Sequence, residues 1–310
     1  MNLKVFKIIL IFILLISKPA LSNSNFLIKL TVDNEIITNF DLIKEGEYLK
    51  LLNNNLQNLN EKQITQIAKE NLINEIIKKK EIQKLFDLDK ENPLIDKVLV
   101  NLYEKIGFKN QIEFENTLKQ INSYNIDEIT KKLKIEIYWN DLIFLKYKDQ
   151  VKINEKDLKM RLNNQTSDAI LQYFLSEIVF EKKINTSIEY QINQIKQSIL
   201  EIGFNNTANL YSISNSSKFG GKVGWIDENN LSELIINELR KIEKGEITNI
   251  IQISNNYLIL KIEDTKTKKI NLDKDEELKK LINFERNEQL NRFSNIFFNK
   301  AKINYSINEN

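Results

Sequence analysis

The segments Ala208-Asn209-Leu210-Tyr211-Ser212, Phe219-Gly220-Gly221-Lys222-Val223-Gly224-Trp225, Lys244-Gly245-Glu246-Ile247 and Tyr257-Leu258-Ile259-Leu260-Lys261-Ile262 belong to one stretch, and its reading decides the fold. Three of the seven glycines fall between positions 220 and 224, beside one of the two tryptophans. In a chain this poor in glycine, such a cluster marks backbone that bends tightly or takes positive φ. By spacing alone it reads either as a plain turn or as the lip of a site.

Working outward, Tyr173 to Phe180 is a β-rich run, and Thr186 with Glu189 caps a helix through Ile192, Ile195 and Ile199. Beyond the glycines comes a helix over residues 231–242, carrying Leu234, Ile235 and Leu239. Strands follow over 247–253 and 257–262, joined at Asn255-Asn256, and residues 265–269 read as a charged linker. The order β-α-loop-α-β-β is that of an α+β unit.

On the N-terminal side, Phe26, Ile28, Leu30 and Val32 alternate as a strand, Asp33-Asn34 signals a turn and Ile36-Ile37 returns. Thr38 and Asp41 form a capping box ahead of a helix, and Asn53 to Asn60 is a polar loop. A helix from Glu61 to Phe86 follows, then one starting at Asn92-Pro93 with proline in its first turn, then one around 112–121. Asn125 with Glu128 caps a fifth, and Asn154 with Asp157 a sixth. On the C-terminal side, Leu278 to Phe297 is one long amphipathic helix, and Ile303, Tyr305 and Ile307 alternate as a final strand suited to pair with the strand near Ile28. That pairing closes a helical unit from both ends of the chain, with the α+β unit inserted.

The composition excludes much. Histidine and cysteine are both absent, which removes Cys/His metal sites, cysteine nucleophiles, Ser-His-Asp triads and disulfides. No metal or other cofactor is expected, and acid–base chemistry falls to Asp, Glu, Lys or Tyr. The formal charge is +2, and without Lys4, Lys7 and Lys18 it becomes −1, which leaves no basic footprint for nucleic acid. Those lysines sit in a leader-like segment over residues 1–22, whose apolar run Ile8 to Ile16 is too short to span a bilayer and ends at Ala20-Leu21-Ser22. We read it as a signal peptide cleaved after Ser22, with an uncleaved anchor as the alternative, giving a periplasmic protein with no stable membrane insertion after cleavage.

These motifs together resemble the SurA-type periplasmic chaperones that carry parvulin peptidyl-prolyl isomerase (rotamase) modules. The likeness rests on residues 32–42 (Val32-Asp33-Asn34-Glu35-Ile36-Ile37-Thr38-Asn39-Phe40-Asp41-Leu42), Ala208-x-x-Tyr211-Ser212, Gly220-Gly221-x-x-Gly224-Trp225, Lys244-Gly245-Glu246-Ile247 and Lys300-Ala301-Lys302-Ile303. The resemblance implies an α+β chain: a helical chaperone domain over 23–165, completed by a helix and strand over 270–310, around one parvulin-like domain over 168–267. It implies as partners unfolded or nascent secreted and outer-membrane polypeptides, so that the chain serves protein folding and outer membrane assembly. The departures are as informative. The family's two histidine positions hold Glu177 and Leu258, its Cys or Asp position holds Ser214, and the glycine before the last strand is Asn256. Leu258 can neither donate nor accept a hydrogen bond, so no catalytic residue is assigned and isomerase activity is expected to be weak or absent. Ser214, Trp225, Leu231, Ile235 and Tyr257 are the expected peptide contacts. An active prolyl isomerase, with these residues around the proline ring, and a non-catalytic assembly adaptor are the competing functions.

Overall fold

The computed structural model describes residues 27–163, 169–182, 186–253, 256–269 and 274–309. The leader-like segment lies outside the described residues, as do 164–168 at the expected domain boundary and Asn255 of the expected turn. Among the described residues no helix is long and apolar enough to cross a membrane.

Both ends of the described chain meet in one small sheet. Strand β1 (Ile28–Val32) turns back through Asp33, at φ 49°, into β2 (Glu35–Thr38). Strand β7 (Ile307–Glu309) pairs antiparallel with the other edge of β1, Val32 opposite Ile307, giving the order β2-β1-β7. The final strand is shorter than its alternation suggests, because the chain turns at Asn304 and Tyr305, whose amides return to Ala301 and Lys302.

Six helices follow the first hairpin: α1 (Asn39–Leu52), α2 (Glu61–Gln83), α3 (Ile95–Lys105), α4 (Gln111–Gln120), α5 (Ile126–Tyr147) and α6 (Glu155–Asn163). Thr38–Asp41 and Asn125–Glu128 form reciprocal capping boxes, each worth about 1 kcal/mol of helix stability. Helix α3 departs from expectation: Asn92 makes a turn with the Leu94 amide, so the helix begins at Ile95, past the proline. The apolar stripes of α1 to α5 share one core that includes Leu49, Ile67, Ile77, Phe114 and Ile129. Inside it Lys132 bridges Glu45 at 2.8 Å and Glu75 at 2.6 Å, and the Tyr124 hydroxyl donates to Glu45 at 2.7 Å. The long helix α10 (Lys274–Lys302) docks on α5 through Trp139, whose indole N–H donates to Ser294 at 2.8 Å.

The inserted unit is a four-stranded antiparallel sheet in the order β4-β3-β6-β5, built from β3 (Ala169–Glu181), β4 (Lys222–Asp227), β5 (Ile251–Ile253) and β6 (Asn256–Lys269). It carries helices α7 (Ile188–Ile202), α8 (Phe204–Tyr211) and α9 (Glu233–Leu239). Several local expectations change. Ser187, rather than Thr186, caps α7 by accepting from the Tyr190 amide. Residues 265–269 are no linker but the end of β6, paired in register with Tyr173 back to Ala169. Helix α9 ends at Leu239, and its cap is Ser232, so Leu231 precedes it. Ile247 makes one bridge to Lys261 before β5 begins at Ile251. The whole is an α+β fold, helical around an inserted antiparallel sheet.

Candidate functional site

Successive strand residues face opposite sides of a sheet, so β3 and β6 sort their side chains by parity. One face carries Tyr173, Leu175, Leu258, Leu260 and Ile262, covered by Leu231 and by Ile236 and Leu239 of α9. The opposite face carries Ile178, Phe180 and Ile259 under Ile195 of α7 and Phe204 and Ala208 of α8. Glu177 lies opposite Leu260, so its carboxyl is on the α9 face.

The glycine turn and the segment before it build a polar centre around that carboxyl. Ile213 donates its amide to the Val179 carbonyl at 2.8 Å, and the Ser212 hydroxyl accepts from the Val179 amide at 3.0 Å. This stitches the segment along β3. Ser214 and Ser216 then donate their hydroxyls to Glu177 Oε1 at 2.5 and 2.9 Å. Gly221 accepts from the Glu177 amide at 2.8 Å and donates to the Ser216 carbonyl at 3.0 Å. At φ +77°, a Cβ on Gly221 would stand 2.3 Å from the Glu177 carbonyl oxygen. The turn needs glycine there because the strand backbone occupies the space a side chain would take. Burial raises the Glu177 carboxyl above the usual range, and the two serine hydroxyls only partly oppose it. From α10, Glu288 is raised by its own burial and, second, by the charge of Glu177. A carboxyl with a raised pKa keeps its proton to a higher pH than an ordinary one, and while protonated it can donate a hydrogen bond.

The other sequence-selected residues divide between the faces. Leu258, 6% exposed, is in the apolar core opposite Val179. Leu231 is 7% exposed and part of that same core, with Ile235 half-buried against it. Tyr257, one residue from Leu258, points to the other face and stacks on Phe180 at 5.5 Å. Trp225 is 39% exposed, packs on Phe174 at 5.3 Å and lies under the Lys266 ammonium at 4.0 Å. Its neighbour Ile226 packs in the α9-face cluster, so Trp225 faces away from it. The structure therefore brings Ser214, Leu231 and Ile235 to the α9 face, and leaves Trp225 and Tyr257 on the opposite one. The sequence reading missed Ser216. The spacing of Ser212, Ser214 and Ser216, the last in the 3-10 turn Asn215–Phe219 that Ser214 caps, was the available signal.

A charged seam joins this unit to the helical frame. Lys218 and Lys78 both reach Glu136 of α5, at 2.7 and 2.8 Å. Burial alone would raise the Glu136 carboxyl, but the two ammonium groups more than offset it and hold it well below the usual range. Asn53 donates to Asn209 at 2.7 Å, and Asn206 to the Asn55 carbonyl at 3.3 Å, across the same seam.

Residues 170–264 match the family described as Rotamase: PPIC-type PPIASE domain. No curated protein sequence matches the chain. Among solved structures, the chain is similar to one from the PEB4 and Cj1289 pair, described as SurA-like chaperones of Campylobacter jejuni, at 17% identity over 92% of this chain and 99% of that one, with a TM-score of 0.35. It is also similar to the peptidylprolyl isomerase PrsA of Bacillus anthracis, at 19% identity over 77% and 98% of the two chains and a TM-score of 0.31. PrsA of Bacillus subtilis shows 19% identity over 76% and 82%, with a TM-score of 0.29. The family match places a PPIC-type rotamase domain, the parvulin kind of peptidyl-prolyl isomerase module, at residues 170–264.

Proposed function

We propose that the chain is an extracytoplasmic chaperone, periplasmic by its leader-like segment, that holds unfolded outer-membrane-type polypeptides. Its parvulin domain serves as a peptide-binding unit with weak or absent prolyl isomerase activity. The observation that carries this reading is the centre of the α9 face. Where the family resemblance calls for histidines, there is a half-buried Glu177 held by Ser214 and Ser216, and a Leu258 sunk in the core.

Prolyl isomerisation breaks no covalent bond; its barrier is the lost amide conjugation, about 18–20 kcal/mol. A face that desolvates the imide and offers one hydrogen-bond donor can lower that barrier somewhat, because complementarity to the twisted state is all that is needed. Glu177 supplies such a donor when protonated, whereas Leu258 supplies none. Holding clients demands less: apolar surface around a polar centre, weak toward any one sequence. Light scattering of an unfolded β-barrel protein diluted from denaturant tests the reading. Near-stoichiometric chain is expected to suppress aggregation, and undiminished scattering refutes it.

A further inference from the structure

The 3-10 turn Asn215–Phe219, capped by Ser214 and followed by Gly220, has two sets of partners. Toward the sheet, Ser214 and Ser216 donate to Glu177, and Gly221 closes on the same strand. Toward the helical frame, Lys218 reaches Glu136 of α5 at 2.7 Å, where Lys78 of α2 also bonds. Phe219 packs against the core that α1 to α5 share, and the Lys105 ammonium of α3 stands 3.8 Å from its ring centroid. An ammonium within about 6 Å of a ring face is attracted by the ring quadrupole. Gly220 fits against the end of α1: a Cβ there would stand 2.9 Å from Asn53 Nδ2. Within the rotamase domain the segment is stitched to β3 as far as Ile213, and Asn205 of α8 holds the Gly220 carbonyl at 2.8 Å. The side chains of Lys218 and Phe219 go to the frame.

The two attachments are close and stiffly joined. The Ser217 amide donates to the Ser214 carbonyl at 3.0 Å, Gly220 to Ser217 at 2.9 Å and Gly221 to Ser216 at 3.0 Å. A 3-10 helix rises about 2.0 Å per residue, so Ser216 and Lys218 are roughly 4 Å apart along the turn. Hydrogen bonds between oxygens span only about 2.5–3.0 Å, so moving the turn by an ångström or so breaks the bonds to Glu177.

We infer that Glu136 of the frame, acting through Lys218, and the frame core, acting through Phe219, position the serine turn, so that the Glu177 centre of the rotamase domain is complete only while the two units are docked. Lys218 and Phe219 are positioning residues; neither touches the Glu177 carboxyl. The inference rests on reading Glu177 as the centre of the α9 face.

The test is a carbon-13 NMR pH titration of the Glu177 side-chain carboxyl in the full chain, its signal identified by its loss in Glu177→Gln. Burial is the main reason this carboxyl titrates high, and the serine donors oppose it. Releasing the turn admits water, so Lys218→Met and Phe219→Ala are expected to lower the Glu177 titration toward the ordinary carboxylate range. Two simpler effects have the opposite sign. Removing one donor with the turn in place, as in Ser216→Ala, raises the titration, and so does the mere loss of a positive charge at position 218. Glu288, the charged neighbour on α10, is the same in every variant. Lys218→Arg, which keeps a cation for Glu136, is expected to titrate like the native chain. Phe219→Ala changes no charge and repeats the test if Lys218→Met fails to fold. A Glu177 titration that stays in place or rises in both variants, or an arginine variant that falls as far as the methionine one, overturns the inference. Prolyl turnover comparable to a histidine-bearing parvulin, with the titration falling as expected, sinks the weak-isomerase reading and leaves the positioning standing.

Discussion

Replacing Gly221 by alanine tests how the glycine turn builds the polar centre. The substitution puts a Cβ 2.3 Å from the Glu177 carbonyl oxygen and 2.9 Å from Ala208 Cβ, at φ +77°. The left-handed backbone costs a residue with a side chain roughly 1–2 kcal/mol. The nearest atom is strand backbone with no rotamer to yield, so the turn must move away from β3. That stretches the bonds from the Glu177 amide to Gly221 and from the Gly221 amide to Ser216, at about 0.5–1.5 kcal/mol each. The total is roughly 2–5 kcal/mol. Gly224 is the internal control: at φ +107° an added Cβ meets nothing within 4 Å, so only the backbone cost of roughly 1–2 kcal/mol remains. Urea unfolding followed by tryptophan fluorescence reads both, provided the slope is unchanged. Gly221→Ala is expected to lose at least about 1 kcal/mol more than Gly224→Ala. Equal losses would refute the close approach of turn and strand.

Three further outcomes follow from the same geometry. Lys132→Met leaves the buried Glu45 without a counter-charge, its Tyr124 hydrogen bond alone remaining, and is expected to cost about 3–5 kcal/mol in chemical denaturation, whereas Lys44→Met, at a half-exposed pair with Glu128, costs under about 1 kcal/mol; comparable losses contradict this. Because the folded Glu177 carboxyl has a raised pKa, its contribution to stability is full below the ordinary carboxylate range and is lost as pH rises through the raised value. The stability of the native chain relative to Glu177→Gln should therefore fall as pH rises out of the ordinary carboxylate range, and a flat difference across urea titrations would contradict the raised pKa. Lys218→Met leaves Glu136 with Lys78 alone and is expected to loosen the seam, seen as faster hydrogen exchange in residues 206–218, with unchanged exchange as the opposing result.

The helical frame was legible because its cues are local. Thr38 with Asp41 and Asn125 with Glu128 specify helix starts without reference to the rest of the chain, and the alternation around Ile28 and Ile307 placed the closing pair. Strand β4 was not legible. Lys222, Val223 and Gly224 form an exposed edge with no buried alternation, and their pairing with β3 is set by Gly220 and Gly221 at positive φ. The charged run at 265–269 reads as linker by composition, but Ala169–Tyr173 gives it a partner more than ninety residues away. At the site, parity was the neglected cue. Once Leu258 faces the α9 cluster, Tyr257 must face the other way, and likewise Ile226 and Trp225. The seam amides were invisible for a different reason: in a chain rich in asparagine, no local pattern separates Asn53 and Asn209 from the solvated ones.

A protease-coupled assay of a prolyl peptide, run beside a histidine-bearing parvulin, tests the central claim most directly. A rate at or slightly above the uncatalysed one is the expected result for a centre made of Glu177, Ser214 and Ser216 over a buried Leu258. Turnover comparable to the histidine-bearing enzyme would contradict it.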